Sequence, residues 1–314
     1  MQSIIIKKKD FQDSTSIPSG WSLIALERDD EVLHLGYAGN VKRRINYLLQ
    51  VAEEDGSVGE LMDTCTQMQV WQYKSALDTL VAYKVGLQNL NPSLQSNFRP
   101  WKDYAYLALN SQVFPFLKIA EDTNDDWLYV GPFRDRFFLV DVMDTVARIL
   151  RLPSCETMDW PCEKLDEGVC AGYCRSLDAA HEEEEYSLAK LDSLLKESFM
   201  RADNGILELL LGERNRYFDD LEFERADLLD DQIELLQKYR DWLIFLYSAR
   251  HLSWEEDGLQ VEDGRLRRVR FEGKDYLFAK DSTVYRPNEA LALNLDSVDE
   301  SRILYEHYQK KNKV

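Results

Sequence analysis

Four of the five cysteines of this 314-residue chain lie within twenty positions of one another. They are Cys155, Cys162, Cys170 and Cys174, with gaps of six, seven and three residues between them. Thiolates bind soft cations, so four of them suit either a zinc ion or an iron–sulfur cluster. Structural zinc sites usually contain cysteine pairs two residues apart, a spacing that this sequence lacks. The spacing therefore fits an iron–sulfur cluster at least as well as zinc, and unliganded cysteines are the third interpretation.

The composition narrows the class of protein. Hydrophobic residues make up 45% of the chain and aromatic residues 11%, as expected for a protein that buries a core. No run of about 18 apolar residues occurs, so the sequence predicts no membrane span. The N-terminal stretch MQSIIIKKKDFQD places apolar residues before lysines, the reverse of a secretory signal. We therefore expect a cytoplasmic protein in which clustered cysteines are metal ligands or redox groups rather than disulfides.

The formal net charge of −19 argues against a chain that is basic as a whole, as many nucleic-acid-binding domains are. Positive charge is instead local, at residues 7–9, 42–44 and 265–270. Solvated surface patches explain each group equally well. The third group alternates arginines with Leu266 and Val269, which predicts a half-buried strand with one basic face at a sheet edge.

The hydrophobic pattern predicts an α+β fold. Over residues 1–120 it indicates strands at 21–27 and 31–37, helices at 40–54 and 75–90, and a strand at 105–110. Asn40 is the predicted N-cap of the first helix, and Asn91-Pro92 ends the second. These elements suggest a small mixed sheet with helices packed on it. Residues 121–180 contain a turn at Gly131-Pro132, a helix and the cysteine segment. Residues 181–250 are helical and acidic. Residues 251–314 form short strands, separated by two Glu-Asp-Gly turns and one Glu-Gly-Lys turn, and then a helix.

The middle of the chain resembles the UvrC family of excision-repair nucleases. The stretch YVGPF at 129–133 precedes a helix and the cysteine segment, as in that family. The last two cysteine gaps match the family, whereas the first gap is shorter. The resemblance implies that the four cysteines bind a [4Fe–4S] cluster, with zinc as the alternative.

Residues 209–237 resemble the UVR motif of the same family. The matching residues are Phe223, Glu224, Ala226, Asp231, Gln232 and Ile233. Asp227 and Asp230 stand where the family usually has alanine and arginine, which changes the charge of the docking face. The resemblance implies a helical hairpin that docks on the UVR element of a UvrB-like or other UVR-containing partner. A plain intramolecular hairpin is the alternative.

The N-terminal region resembles a GIY-YIG nuclease domain. The residues that carry this resemblance are Pro18, Gly20, Leu33, Gly36, Ala38, Asn40 and Arg44. With the other motifs, the resemblance extends over about residues 16–240. The final seventy or so residues resemble, more weakly, the tails of shorter UvrC-like proteins of the Cho type.

Most of the catalytic set that this resemblance implies is replaced. Phosphodiester hydrolysis of this kind needs a carboxylate-held divalent metal, a group that activates water and an arginine. Arg44 is retained, but the two family tyrosines fall on Ser22 and His34, and the lysine falls on Tyr37. The metal-binding glutamate falls on Ala76 and a second glutamate on Tyr83. Asp78, two positions from Ala76, is rotated about 200° around the helix.

These residues favour a UvrC-like DNA-repair protein whose GIY-YIG domain has lost its hydrolytic chemistry. Lys42, Arg43 and Arg44 would then contact DNA phosphates without cleavage. The alternative is an active Cho-like endonuclease that makes a single incision, using Arg44, His34, Tyr37 and Asp78 around Mg²⁺ or Mn²⁺. A third possibility is a protein-binding module whose acidic surface excludes DNA. We expect no membrane among the binding partners of this protein.

Overall fold

A computed structural model describes residues 3–12, 17–95, 104–153, 155, 158, 161–178, 186–279 and 291–312. The chain divides into two compact units, each assembled from separate stretches of sequence. The first contains Met1–Lys102, Leu252–Lys280 and Asp299–Val314, and the second contains Asp103–His251 and Asp281–Val298. The division into domains at 1–120, 121–180, 181–250 and 251–314, made from the sequence, stays a prediction.

The N-terminal part of the first unit is a four-stranded antiparallel sheet with three helices. In chain order the elements are β1 (Ser3–Lys7), β2 (Ser19–Arg28), β3 (Glu31–Asn40), α1 (Val41–Val51), α2 (Gly56–Thr64), β4 (Gln67–Gln72) and α3 (Ala76–Leu90). The strand order is β1-β4-β2-β3. This unit therefore holds both strands and both helices that the sequence predicted before residue 100.

Local side chains set the ends of these helices. The Asn40 side chain accepts a hydrogen bond from the Arg43 amide at 2.9 Å, which caps α1. Ser75 caps α3 in the same way, and Asn91 ends it in a left-handed conformation with φ of 44°. The predicted N-cap and the predicted stop before Pro92 are therefore both present.

Two features of this sheet differ from the expectation. The sheet is antiparallel throughout rather than mixed, because β4 pairs antiparallel with both β2 and β1. The strand predicted at 105–110 is not part of this sheet, since it belongs to the second unit. The sequence interpretation missed β4, although its stretch QMQVWQ alternates polar and buried residues. Met68 and Val70 point inward with exposures of 0% and 1%.

The C-terminal part of the first unit is an antiparallel sheet and most of a helix. The elements are β8 (Trp254–Glu256), β9 (Leu259–Glu262), β10 (Arg265–Phe271), β11 (Lys274–Leu277) and α9 (Leu295–Asn312). The predicted turns are present, because Asp257-Gly258, Asp263-Gly264 and Glu272-Gly273 all have positive φ angles. The basic strand β10 is not at an edge, since it pairs with both β9 and β11.

Acidic neighbours pair with the arginines of β10. Arg270 binds Asp275 at 2.9 Å, Arg268 binds Glu255, and Arg265 lies 3.7 Å from Glu300. Three of the four arginines of this strand are therefore ion-paired, whereas the Arg267 guanidinium donates to the Ala279 carbonyl at 2.9 Å. That arrangement matches the solvated basic face that the sequence suggested, rather than a DNA contact.

An apolar cluster joins α3 to the C-terminal part of this unit, and we call it the α3 cluster. Its buried members are Leu77, Leu80, Val81, Val85, Leu252, Val261, Leu266, Val269, Ile303 and Leu304. Beside it, the buried Glu300 carboxylate accepts two hydrogen bonds from Lys84 at 2.8 Å and one from the Leu266 amide at 2.7 Å. The Ser301 hydroxyl donates to the Gly264 carbonyl at 3.0 Å. These bonds hold α9 and β10 in one register against α3.

The second unit combines a mixed sheet with helices. Its elements are β5 (Ala105–Leu109), β6 (Leu117–Ala120), β7 (Leu128–Phe133), α4 (Arg136–Ile149), α5 (Glu163–Asp166), α6 (Leu188–Met200), α7 (Ile206–Asp219), α8 (Phe223–Arg250) and β12 (Leu291–Ala292). The strand order is β12-β7-β5-β6, with β12 parallel to β7. The α+β class predicted from the sequence is confirmed. Among the described residues, no helix is both long and apolar enough to cross a membrane.

The turn predicted at Gly131-Pro132 is wrong, because both residues lie in β7, which pairs with β5 and β12 in the sheet. This YVGPF stretch anchors α8 in the second unit. Phe133 stacks on Tyr239 with 5.5 Å between ring centroids, and the Trp242 indole donates to the Pro132 carbonyl at 3.0 Å. The Tyr239 hydroxyl donates to the Phe199 carbonyl of α6 at 2.7 Å. Because both polar groups of these rings are bonded, the aromatic contact is buried without an unpaired donor.

Candidate functional site

The residues at the family's catalytic positions come from β2, β3, α1 and α3 of the first unit. They are Ser22, His34, Tyr37, Arg44, Ala76 and Tyr83. Ser22 is fully buried, and its hydroxyl donates to the Gly20 carbonyl at 3.1 Å. This hydroxyl is therefore part of the sheet's internal bonding, and its alcohol is a far weaker acid than the phenol that the resemblance implies.

His34 is buried beneath this face, with 5% of its surface exposed. Burial, with a smaller contribution from the positive charge of Arg44, lowers the pKa of His34 from 6.5 to about 3. At neutral pH the imidazole is uncharged. A base with so low a pKa is poorly matched to the removal of a proton from water at neutral pH.

Arg44 is half-buried among aromatic rings. Its guanidinium carbon lies 5.6 Å from the centre of the Tyr47 ring, and the rings of Tyr37 and Tyr83 lie 4.9 Å apart. Burial lowers the pKa of Arg44, and Tyr47 and then Asp299 are the largest of the groups that oppose this shift. Asp299 belongs to α9, so the last helix brings a carboxylate to the arginine. No local pattern could have identified this residue, because the contact is far apart in sequence.

Asp78 has a different surrounding. It is exposed in the first turn of α3, where its carboxylate accepts a hydrogen bond from the Ser75 hydroxyl at 2.8 Å. The Asp78 amide donates in turn to the Ser75 oxygen at 3.1 Å. This reciprocal pairing is a helix cap. His34 and Tyr37 therefore lie within electrostatic range of Arg44, and the carboxylate that acts on Arg44 is Asp299 rather than Asp78.

Apolar packing surrounds the positions that the family uses for metal and phosphate. Tyr37, Ala76 and Tyr83 all pack against the α3 cluster, as does Trp21 of β2. Hard divalent cations need several oxygen ligands. Across the described part of the chain, no three His, Cys, Asp or Glu side chains are arranged to hold a metal ion.

Lys42 and Arg43 differ from Arg44. Both are exposed at the beginning of α1, where the helix N-terminus carries partial positive charge. The three residues grouped by the sequence therefore divide into two surface cations and one half-buried cation. Only the two surface cations are placed to meet a phosphate without rearrangement.

The cysteine segment lies in the second unit and begins where α4 ends. Cys162 precedes α5, Cys170 follows it, and Cys174 lies in a short 3-10 helix at Tyr173–Leu177. Burial raises the pKa of Cys170 and Cys174, and the charges of the other cysteines, Cys155 and Cys162 among them, raise both further. The four thiols therefore lie near enough to influence one another's pKa.

Two contacts favour thiolate in this segment. The Lys164 ammonium lies 3.4 Å from the Cys155 sulfur, and the Gly172 amide donates to the Cys170 sulfur at 3.3 Å. Gly172 has φ of 81°, and a Cβ there would lie 2.9 Å from a Leu165 methyl group. The loop thus requires glycine at this position. The donor chemistry fits a soft metal, although the sulfurs do not form a ligand group in the geometry described.

The helices α7 and α8 form the predicted hairpin. Of the matched residues, Ala226 and Ile233 are buried, Gln232 is half-buried, and Phe223, Glu224 and Asp231 are exposed. The rings of Phe218 and Phe223 meet edge to face at 5.3 Å beside Leu221, which is 74% exposed. We call Phe218, Leu221 and Phe223 the hairpin tip.

Asp230, which replaces the family's arginine, is paired inside the hairpin. The Arg214 guanidinium binds its two carboxylate oxygens at 2.8 and 3.4 Å. Arg214 also lies over the Phe218 ring, 5.8 Å from its centre. The acidic substitution is therefore compensated by a basic residue of α7, while Asp227 and Asp231 stay exposed.

Known proteins similar to this chain are UvrABC system protein C sequences. Identity is 24% over 220 residues with that of Prosthecochloris aestuarii, covering 67% of this chain and 35% of the relative. It is 24% over 223 residues with that of Salinibacter ruber, covering 68% and 35%. The sequence from Methanothermobacter thermautotrophicus is 22% identical over 231 residues, covering 72% and 38%.

The chain has a UvrC-family relationship over about two thirds of its length, which confirms the resemblance. It spans little more than a third of the length of these relatives. No family model matches the chain, and no solved structure matches it either.

The low pKa of His34 predicts a specific dependence of stability on pH. Between about pH 3 and 6.5 the unfolded chain binds a proton at this residue that the folded chain excludes. The contribution of His34 to the free energy of unfolding is therefore fully present above pH 6.5. It is lost as the pH falls, by up to about 1.4 kcal/mol per pH unit. Urea unfolding from pH 7 to 4 should show a shallower loss for His34→Leu than for the unmodified protein.

His251→Asn is the matched control, because His251 is exposed at the end of α8. This variant should follow the unmodified protein across the same pH range. Equal slopes for His34→Leu and the unmodified protein would contradict the assignment of a neutral, buried imidazole.

Proposed function

We propose that this protein is a UvrC-related DNA-repair protein that binds DNA and a UVR-containing partner without cutting DNA. One observation carries the proposal. Ala76 and Tyr37, at the positions of the family's metal-binding glutamate and lysine, pack against the α3 cluster. A divalent metal and a charged phosphate diester would both have to displace apolar contacts there, which is costly.

The surroundings of Arg44 support the same conclusion. In a working nuclease of this kind the arginine must stabilise charge that develops on the phosphate. Here Asp299 and neighbouring tyrosines act on Arg44. Its charge is therefore balanced from within the chain, and His34 is a weak base beside it.

Lys42 and Arg43 are the proposed DNA contact in this unit. They are exposed, and they lie at the first turn of α1 where the helix dipole also favours a phosphate. Contacts of this kind position a protein on DNA without reading its sequence. Because the chain carries a net charge of −19, we expect binding to be weak and steeply dependent on salt.

Supercoiled plasmid tests both parts of this proposal at once. Incubation with Mg²⁺ or Mn²⁺ at low salt should retard the plasmid in a gel and leave it uncut. The double variant Lys42→Gln/Arg43→Gln should lose most of the retardation, since two phosphate contacts are removed. Lys310→Gln/Lys311→Gln, at the end of α9, removes the same charge as a control.

Two results would overturn this view. Nicking that disappears in Arg44→Ala would establish the alternative, a single-incision endonuclease. Retardation that is the same in the Lys42→Gln/Arg43→Gln variant and the control would remove the proposed DNA contact.

We further propose that the four cysteines hold a [4Fe–4S] cluster. The mutual influence of the thiols, the Lys164 charge beside Cys155 and the amide bond to the Cys170 sulfur support it. Such groups balance the negative charge of a thiolate-ligated cluster. When bound, the cluster would brace the loop between α4 and α6, and zinc would do the same with different spectroscopy.

Protein purified anaerobically should therefore be brown and contain about four irons per chain. Cys170→Ser should lose most of this iron, because it removes a buried ligand. Cys65→Ala is the control, since Cys65 is buried in the first unit and should leave the iron unchanged. Colourless protein that contains zinc alone would replace the iron–sulfur assignment.

The hairpin tip is the proposed partner surface. Its three apolar side chains are exposed next to one another, and the carboxylates of Asp227 and Asp231 lie farther along α8. Exposed apolar groups beside like charges favour a helical partner whose rim is basic. We propose the UVR element of a UvrB-like or other UVR-containing protein in that role.

Isothermal titration with a synthetic UVR hairpin of a UvrB protein tests this contact. Phe223→Ala should weaken binding about tenfold or more, as expected for a central aromatic contact. Leu209→Ala, an exposed apolar residue near the start of α7, should change it less than about twofold. Equal affinities for both variants, or no binding by the unmodified protein, would exclude the hairpin tip as the docking surface for this partner.

A further inference from the structure

A pocket of about 180 Å³ in the second unit is lined by thiols together with apolar side chains. The thiols are those of Cys155, Cys170 and Cys174. The apolar side chains include those of Phe114, Phe116, Met143, Ala147, Leu152 and Tyr173, and the exposed Asp144 also lines the pocket. This volume is roughly six times the share of about 30 Å³ that one water molecule occupies in the liquid. Three of the four candidate ligands therefore open onto one largely apolar pocket.

The connection between β5 and β6 supplies two aromatic rings of this lining. Phe114 is half-buried and Phe116 is buried, and their rings meet edge to face with 5.8 Å between centroids. The Asn110 amide donates to the Phe116 carbonyl at 2.9 Å, and the Gln112 amide donates to the Asn110 side chain at 2.8 Å. Phe114 is therefore held at the pocket by a connection whose backbone is well bonded.

The helix α4 and the residues that follow it supply a second part of the lining. Met143 and Ala147 lie four positions apart on one face of α4. After the helix ends, the Leu152 amide donates to the Ala147 carbonyl at 2.7 Å, which brings the buried Leu152 side chain into the lining. The pocket thus joins the β5–β6 connection, α4 and the cysteine segment, which are separate in sequence.

We propose that this apolar lining, and the Phe114 ring in particular, keeps water and dissolved oxidants away from the metal that the thiols hold. The inference rests on the iron–sulfur cluster proposed above. The apolar shell around a metal site controls solvent access and the local dielectric, and both set the reduction potential of a thiolate-ligated cluster. Cys170 is buried, and Cys155 and Cys174 are half-buried. The thiols are therefore partly withdrawn from solvent, and the side chains that share their pocket control the remaining access.

Bleaching in air measures this shielding in the full chain. Protein purified anaerobically is transferred to air-equilibrated buffer, and the loss of its brown absorbance is followed with time. Phe114→Ala should shorten the half-life of the absorbance about tenfold, because it removes a ring from the lining and admits water. Met143→Gln should also shorten it, because it places a polar group in the same pocket. Phe114→Leu should stay within about twofold of the unmodified protein, since the pocket remains apolar.

The reduction potential distinguishes shielding from a loss of fold. A reduced cluster with four thiolate ligands carries more negative charge than the oxidised cluster, so water stabilises the reduced state. Phe114→Ala should therefore shift the midpoint potential to a more positive value, and Phe114→Leu should shift it less. Phe137→Ala is the matched control, because it removes the same ring from α4 at a position that is 80% exposed. This control should change neither the half-life nor the potential, and circular dichroism should show that all variants are folded.

The competing explanation is that these side chains only pack the β5–β6 connection against α4. In that case Phe114→Ala would lower the melting temperature and leave the midpoint potential unchanged, which would overturn the proposal. Brown protein that bleaches at the same rate in Phe114→Ala and Phe137→Ala would also overturn it, while the cluster assignment would stand. Colourless protein would instead remove the cluster assignment together with this inference, so the two failures are distinguishable.

Discussion

The buried carboxylate of Glu300 organises the first unit of this protein. It accepts two hydrogen bonds from Lys84 on α3 and one from the Leu266 amide on β10, so three separate elements meet at one charge. A buried ion pair is favourable only when its remaining polar groups are satisfied, and here the carboxylate has three donors. The apolar α3 cluster packs around this contact. Any rotation of α9 would leave the carboxylate without donors, so the contact specifies how the C-terminal segment lies on α3.

The Glu300 contact determines what surrounds the residues that the resemblance places at catalytic positions. Once α9 and β10 are held against α3, Ala76, Tyr37 and Tyr83 become part of an apolar contact. The neighbouring Asp299 then comes close enough to act on Arg44. Alanine at position 76 is consistent with this packing, because a buried carboxylate without a partner would be costly there. Arg44 therefore interacts with a carboxylate of the same chain.

The second unit uses its polar residues differently. Its cysteine loop turns at Gly172, where a side chain would meet Leu165. Lys164 lies beside the Cys155 sulfur in that segment. In the hairpin, Asp230 stands where the resemblance implies an arginine, and it is paired with Arg214. Its apolar tip is exposed, and Arg214 lies over the Phe218 ring.

Local signals in the sequence were sufficient for the helix cap at Asn40, the end of α3 at Asn91, the glycine turns of the C-terminal sheet, the α7–α8 hairpin and the α+β class. Each of these depends on residues that are neighbours along the chain. The alternation of polar and apolar residues in β4 also predicts a strand, but the sequence interpretation did not include it. Only the tertiary structure decided that β10 is a central strand, that Glu300 binds Lys84, that Asp299 acts on Arg44, and that Phe114 lines one pocket with three of the thiols. These contacts join residues from different elements, and their partners are selected by packing and burial rather than by sequence spacing.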